Sequence, residues 1–115
     1  MQAVAQEAAD WIEVGTIEDI PRFGSGVVKR DGGDIAVFRN ADDEVFALLN
    51  RCPHKGGPLS EGIVYGRTVA CPLHNWCLDL HSGQARAPDE RCAPSFAVRV
   101  IEGRVLVSNE PAHDC

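Results

Sequence analysis

Near the end of the chain, Phe96, Val98 and Val100 alternate with Ala97, Arg99 and Ile101. That period of two predicts a strand and not a helix. Glu102-Gly103 then turns the chain into a second apolar run, Val105–Val107. At the other end, Trp11–Val14 predicts a first strand, and Thr16 with Asp19 caps a single helical turn before Pro21. Val27–Arg30 and Ile35–Arg39 flank Asp31-Gly32-Gly33-Asp34, a hairpin turn whose glycines supply positive φ. Residues 40–44 make the next turn and Val45–Leu49 the next strand. The pattern breaks between Asn50 and Pro94, where glycine, proline, cysteine and histidine concentrate. The reading is one all-β domain, 1–115. An antiparallel base (11–50 and 93–110) carries an inserted loop-rich subdomain (about 50–92). Residues 1–10 and 111–115 are expected to fray. Ordering such an insertion costs entropy, so something is expected to hold it together.

The candidate holder is Cys52, His54, Cys71 and His74: C-x-H, sixteen residues, then C-x-x-H. Zinc fingers usually place two cysteines on one arm and two histidines on the other. Here each arm mixes the two. One tetrahedral ion with this set would be unusual. A [2Fe–2S] cluster gripped by two loops, each supplying a cysteine and a histidine, suits the repeated mixed pair better.

Composition narrows the partners. Eleven Lys and Arg against seventeen Asp and Glu give a net charge of −6. That balance argues against nucleic acid and anionic membranes, and suits docking on a basic protein surface. No apolar run approaches bilayer length, and the first residues do not resemble a signal peptide, so the cytoplasm is the expected compartment. There, cysteines near histidines are more often metal ligands than disulfides, and five cysteines pair poorly in any case.

The Cys-His pattern resembles that of the Rieske family. Four ligand types fall in order at the family spacing, with Pro53 and Pro72 after the cysteines and Gly56-Gly57 after the first histidine. The resemblance implies a Rieske fold and a [2Fe–2S] cluster, with Cys52 and Cys71 on one iron and His54 and His74 on the other. It also places the histidine edge at the loop tips, where electrons pass. The high-potential branch of the family has two further cysteines bridging its ligand loops, but Gly57 and Leu73 stand there in this chain. That branch also has a serine and a tyrosine that donate to sulfur. Those positions are Trp76 and Leu78.

Among low-potential relatives, a complete oxygenase is not expected, since only His81 and His113 remain for a mononuclear iron site. The words "CPHKGGPLSEGIV" and "CPLHNWCLDLHSGQARAPDE" look like the small subunit of cytoplasmic NAD(P)H-dependent nitrite reductase. That resemblance implies a large flavin and siroheme subunit as partner, and reduction of nitrite to ammonium. The alternatives are a Rieske ferredoxin serving a reductase and a ring-hydroxylating dioxygenase, or a structural subunit whose cluster only holds the loops. The chain alone is not expected to turn over substrate.

Trp76 is read as shielding or packing, and Pro88 as part of a loop covering the cluster. Cys92 is expected to fill a small buried space and Cys115 to fray, with a Cys77–Cys92 disulfide disfavoured. His81 is read as a turn residue, and Asp42, Asp43 and Glu44 as a solvated hairpin tip. With few donors to sulfur, the reduced cluster is little stabilised, so a redox titration should give a midpoint on the order of −150 mV. A midpoint above about +100 mV would contradict this reading.

Overall fold

The computed structural model describes residues 11–30, 32–52, 57–71, 77–85 and 92–113. The chain forms β1 (Trp11–Thr16), β2 (Gly24–Val28), β3 (Ile35–Arg39), β4 (Val45–Leu49), β5 (Ile63–Tyr65), β6 (Thr68–Ala70), β7 (Cys77–Asp79), β8 (Ser95–Ile101) and β9 (Arg104–His113). Two sheets result, ordered β1-β9-β8-β4-β3-β2 and β5-β6-β7. Every pairing in them is antiparallel. The all-β expectation holds.

β3 explains the layering. All five of its residues are buried. Ile35 and Val37 enter one apolar cluster with Ile20, Ala47, Phe96, Val105 and Val107. Ala36 and Phe38 point the other way, into a second cluster that includes Leu48, Leu59, Val64, Val69 and Leu78. Because side chains alternate faces, one strand serves two cores. The first core fills the curl of the large sheet. The second lies between the large sheet and the small one.

Local chemistry sets the ends of the strands. Thr16 begins a single 3-10 turn at Ile17–Asp19, where Asp19 Oδ2 accepts from Thr16 N at 3.0 Å and Thr16 Oγ1 at 3.3 Å. β2 starts three residues earlier than its sequence pattern suggests and stops at Val28. Arg30 lies beyond the strand in the turn, where its carbonyl accepts from Gly33 N at 3.2 Å and its guanidinium has partners of its own. It donates to the carbonyls of Gly33 and Asn109, both at 2.9 Å, and stacks 5.0 Å over the Phe96 ring. Gly33 takes the positive φ of the turn, at 113°.

Two expectations need correction. The chain does not fray from residue 111, since β9 runs to His113 and pairs Phe96 with Pro111 and Ser95 with His113. Pro111 is tolerated there because its partner Phe96 lies between register irregularities of the β8–β9 pairing. The stretch from 63 to 79 is also not merely loop, for it holds the three short strands of the small sheet.

Phe38 is fully buried in the core between the sheets. Phe38→Ala should lower unfolding free energy by about 3–5 kcal/mol. Val100→Ala, at an exposed position, should change it by less than about 0.5 kcal/mol. Urea denaturation followed by circular dichroism checks both.

Candidate metal centre

Cys52 stands three residues beyond β4. Its N–H donates to Gly57 O at 2.8 Å and closes the span 52–57 at its base. Asn50 Oδ1 accepts from Ser60 N at 2.8 Å, and Ser60 O accepts from Ser25 Oγ at 2.6 Å. These bonds tie the exit of the first loop to β2 and β4. Leu59, fully buried, anchors the 3-10 turn that follows at Leu59–Glu61.

Cys71 follows β6 directly. The second loop, 71–76, is closed where Ala70 pairs with Cys77. Gly62 allows β5 to approach at that point. Any Cβ there would overlap the Ala70 carbonyl. Gly83 plays the same part behind β7. It has a φ of 79°, and a Cβ would run into the carbonyl of Ala93.

The two loops therefore bring Cys52 (1 % exposed) and Cys71 (0 % exposed) into the same apolar cluster. Neither is in a disulfide. His54 and His74, the other two expected ligands, lie outside the described residues. So do Trp76, Pro88 and Cys115. Among the described residues alone, no three metal-ligating side chains gather.

The donor chemistry fits iron. Two thiolates in an apolar setting would be costly to bury without compensating positive charge, and ferric iron supplies it. Each thiol also sits at the closed base of its loop, which leaves the rest of each loop to carry a second donor.

A polar clamp holds the small sheet on the large one. Asn40 is 1 % exposed and uses its whole amide. Its Nδ2 donates to Glu44 Oε1 (2.8 Å) and Gly66 O (3.0 Å). Its Oδ1 accepts from the N–H groups of Asp42 (3.0 Å) and Glu44 (2.9 Å). Glu44 also pairs with Arg67, whose carbonyl accepts from Leu80 N at 2.8 Å. Gly66 and Arg67 form the turn that leads through β6 to Cys71. Beside this clamp, Arg39 is buried and donates to the carbonyls of Ile17 and Ile20 and to Asp43, which also binds Arg22. The acidic hairpin tip is thus structural and not simply solvated. Asp43 is held by its neighbour Arg39 and by Arg22, and Glu44 by Arg67; Arg22 and Arg67 come from distant segments, which no local pattern announces.

The remaining cysteines and His81 are placed more simply. Cys92 does not fill a buried space. It is half-buried, forms an isolated bridge with Gln84, and is disulfide-bonded. Cys77 is not its partner. It keeps a thiol whose Sγ lies 3.1 Å from the Tyr65 hydroxyl. His81 is exposed in the turn after β7.

With this geometry in view, comparison with known proteins is decisive on family. Residues 10–97 match the Rieske [2Fe-2S] domain model. The chain belongs to the Rieske [2Fe–2S] family. A Rieske-type [2Fe–2S] cluster is accordingly its cofactor, and electron transfer its chemistry. One relative is the ferredoxin component of the naphthalene 1,2-dioxygenase/salicylate 5-hydroxylase systems of Ralstonia sp, 30 % identical over 88 % of this chain and 97 % of the relative. A chain of the complex of reduced oxygenase and oxidized ferredoxin in carbazole 1,9a-dioxygenase superposes with a TM-score of 0.81. It is 28 % identical over 91 % of this chain and 98 % of its own. A Mycobacterium tuberculosis protein provisionally assigned as an NADH-dependent nitrite reductase small subunit superposes with a TM-score of 0.79. It is 26 % identical, over 89 % and 96 % of the two chains. Among the described residues, no helix of this Rieske protein is long and apolar enough to cross a membrane.

The clamp has a pH signature. Hydrogen bonds from Arg67, then from Asn40, hold the Glu44 carboxyl below its ordinary value of 4.5. Arg22 and Arg39 do the same to Asp43, ordinarily 3.8. Depressed carboxyl values stabilise the fold fully above the unfolded-state values, and the benefit is lost as pH falls through the folded ones. Stability should therefore fall from about pH 4.5 downward. The Glu44→Gln/Asp43→Asn double variant should show a shallower acid dependence in denaturation titrations. An unchanged slope would remove the clamp from the acid response.

Proposed function

We propose that this Rieske protein is the electron-transfer small subunit of a cytoplasmic NAD(P)H-dependent nitrite reductase. Its partner would be a large subunit carrying flavin and siroheme, which reduces nitrite to ammonium. In this reading residues 50–92 are the cluster-binding unit. Cys52 and Cys71 hold one iron, and His54 and His74 the other. When bound, the [2Fe–2S] group supplies one-electron transfer. The chain's own part is to keep the two thiol ligands dry in the inter-sheet core, to fix both loops at their bases, and to present the loop tips to a partner.

The observation that carries this reading is the wording of the two ligand loops, Lys55-Gly56-Gly57-Pro58-Leu59 after the first histidine and Cys71-Pro72-Leu73-His74-Asn75-Trp76 at the second pair. The likeness to the Mycobacterium tuberculosis chain over nearly its full length supports it. A second reading has its own support. The Ralstonia relative, aligned over almost all its length, is a dioxygenase ferredoxin, and on that model this protein would pass electrons from a reductase to a ring-hydroxylating oxygenase.

The two readings separate by partner. Recovered from its host under mild conditions, the protein should bring down a large subunit containing flavin and siroheme, identified by mass. Reduced with dithionite, it should be reoxidised by that subunit. Recovery instead with a flavoprotein reductase and a mononuclear-iron oxygenase would overturn the nitrite reductase reading in favour of the second.

A further inference from the structure

Among the described residues, the small sheet leaves part of one face uncovered. Val64, Val69 and Leu78 stand in register across it and point inward, each 3 % exposed or less. The opposite rows are Ile63, Ala70 and Cys77, then Tyr65, Thr68 and Asp79; Ala70 is buried and Cys77, Thr68 and Asp79 are half-buried, so the exposed part lies on β5. The outward face of a solvated antiparallel sheet is normally polar. Here Ile63 is 67 % exposed and Tyr65 43 % exposed. The Tyr65 hydroxyl meets Cys77 Sγ at 3.1 Å, which fixes the ring across the strands. An exposed aromatic already held in place makes a good anchor, because little freedom is lost on binding.

The position of this face matters as much as its character. Ala70 and Cys77 are the last pair before the second ligand loop opens, and Cys71 is the next residue. Electron transfer falls steeply with distance, so a partner must touch the protein close to the ligand loops. Among the described residues, acidic side chains stand at its corners. Glu61, just before Ile63, is exposed and enters no ion pair among the described residues. Asp79 stands at the Tyr65 end of the face. Arg67, in the turn between β5 and β6, is taken up by Glu44.

We propose that Ile63 and Tyr65, on the outer face of the small sheet, form the docking surface for the protein that exchanges electrons with this chain. The partner presents an apolar side chain set in a basic rim. Net charge complements that rim, and the apolar centre with a charged margin matches the anatomy of specific, reversible interfaces. This inference rests on the reading of the chain as an electron-transfer subunit.

The test uses the intact cluster-loaded protein and the purified flavin–siroheme subunit. Ile63→Asn and Tyr65→Ser should each weaken binding about tenfold, with the visible spectrum and midpoint potential unchanged. Glu61→Lys should weaken binding at low salt and flatten its salt dependence. Val100→Ser and Ile101→Ser, exposed apolar positions at the opposite end of β8 from Ser95, should stay within about twofold of wild type. Wild-type affinity in both Ile63→Asn and Tyr65→Ser overturns the proposed surface and leaves the nitrite reductase reading intact. If wild type exchanges electrons with an oxygenase system instead, that reading falls and the same variants decide the surface against the new partner. A wild-type protein that exchanges electrons with neither removes reading and surface together.

Discussion

The central constraint is that β3 is buried on both faces along its length, and β4 at Ala47 and Leu48. Ile35, Val37 and Ala47 close the core inside the curled large sheet, while Ala36, Phe38 and Leu48 form the floor on which the small sheet rests. Neither core can be completed without these strands. Cys52 and Cys71 belong to the second core, so the thiols proposed as iron ligands are also packing residues.

Polar contacts make that packing specific. Apolar burial alone would let the small sheet slide or rotate on its floor, since the hydrophobic effect has little direction. Asn40 removes that freedom. It is buried with all its hydrogen-bonding groups satisfied, one of them by Gly66 of the small sheet. Losing such a group leaves several partners unsatisfied at once, which costs far more than a single hydrogen bond contributes. Gly62 and Gly83 add a steric version of the same control, since both sit where two backbones come too close for any side chain.

The sequence shows some of this and hides the rest, for physical reasons. Strands β3, β4 and β8 each carry five or more residues with an apolar pattern, long enough for strand character to stand out. Strands β5, β6 and β7 have three residues each, and no periodicity can be seen in three. The ligand pattern is legible because metal chemistry demands particular residue types at fixed spacing. The Asn40–Glu44–Arg67 clamp is not, because Arg67 lies 23 residues from Glu44 and nothing local announces the meeting. The apolar outer face of β5 is visible only once the register shows which side Ile63 and Tyr65 occupy. His54 and His74, identified from the pattern, lie outside the described residues, so the thiol half of the site is the part the fold illuminates.

The claim that everything else serves is that two loops, each supplying one cysteine and one histidine, hold a two-iron centre. The direct measurement is electron paramagnetic resonance of the reduced protein, purified without oxygen and labelled with nitrogen-15 histidine, alongside iron and sulfide analysis. Two irons and two labile sulfides per chain are expected, with hyperfine coupling to two histidine nitrogens that is lost in His54→Ala or His74→Ala. A chain that binds a single zinc, or an iron–sulfur signal with no histidine coupling, would contradict it.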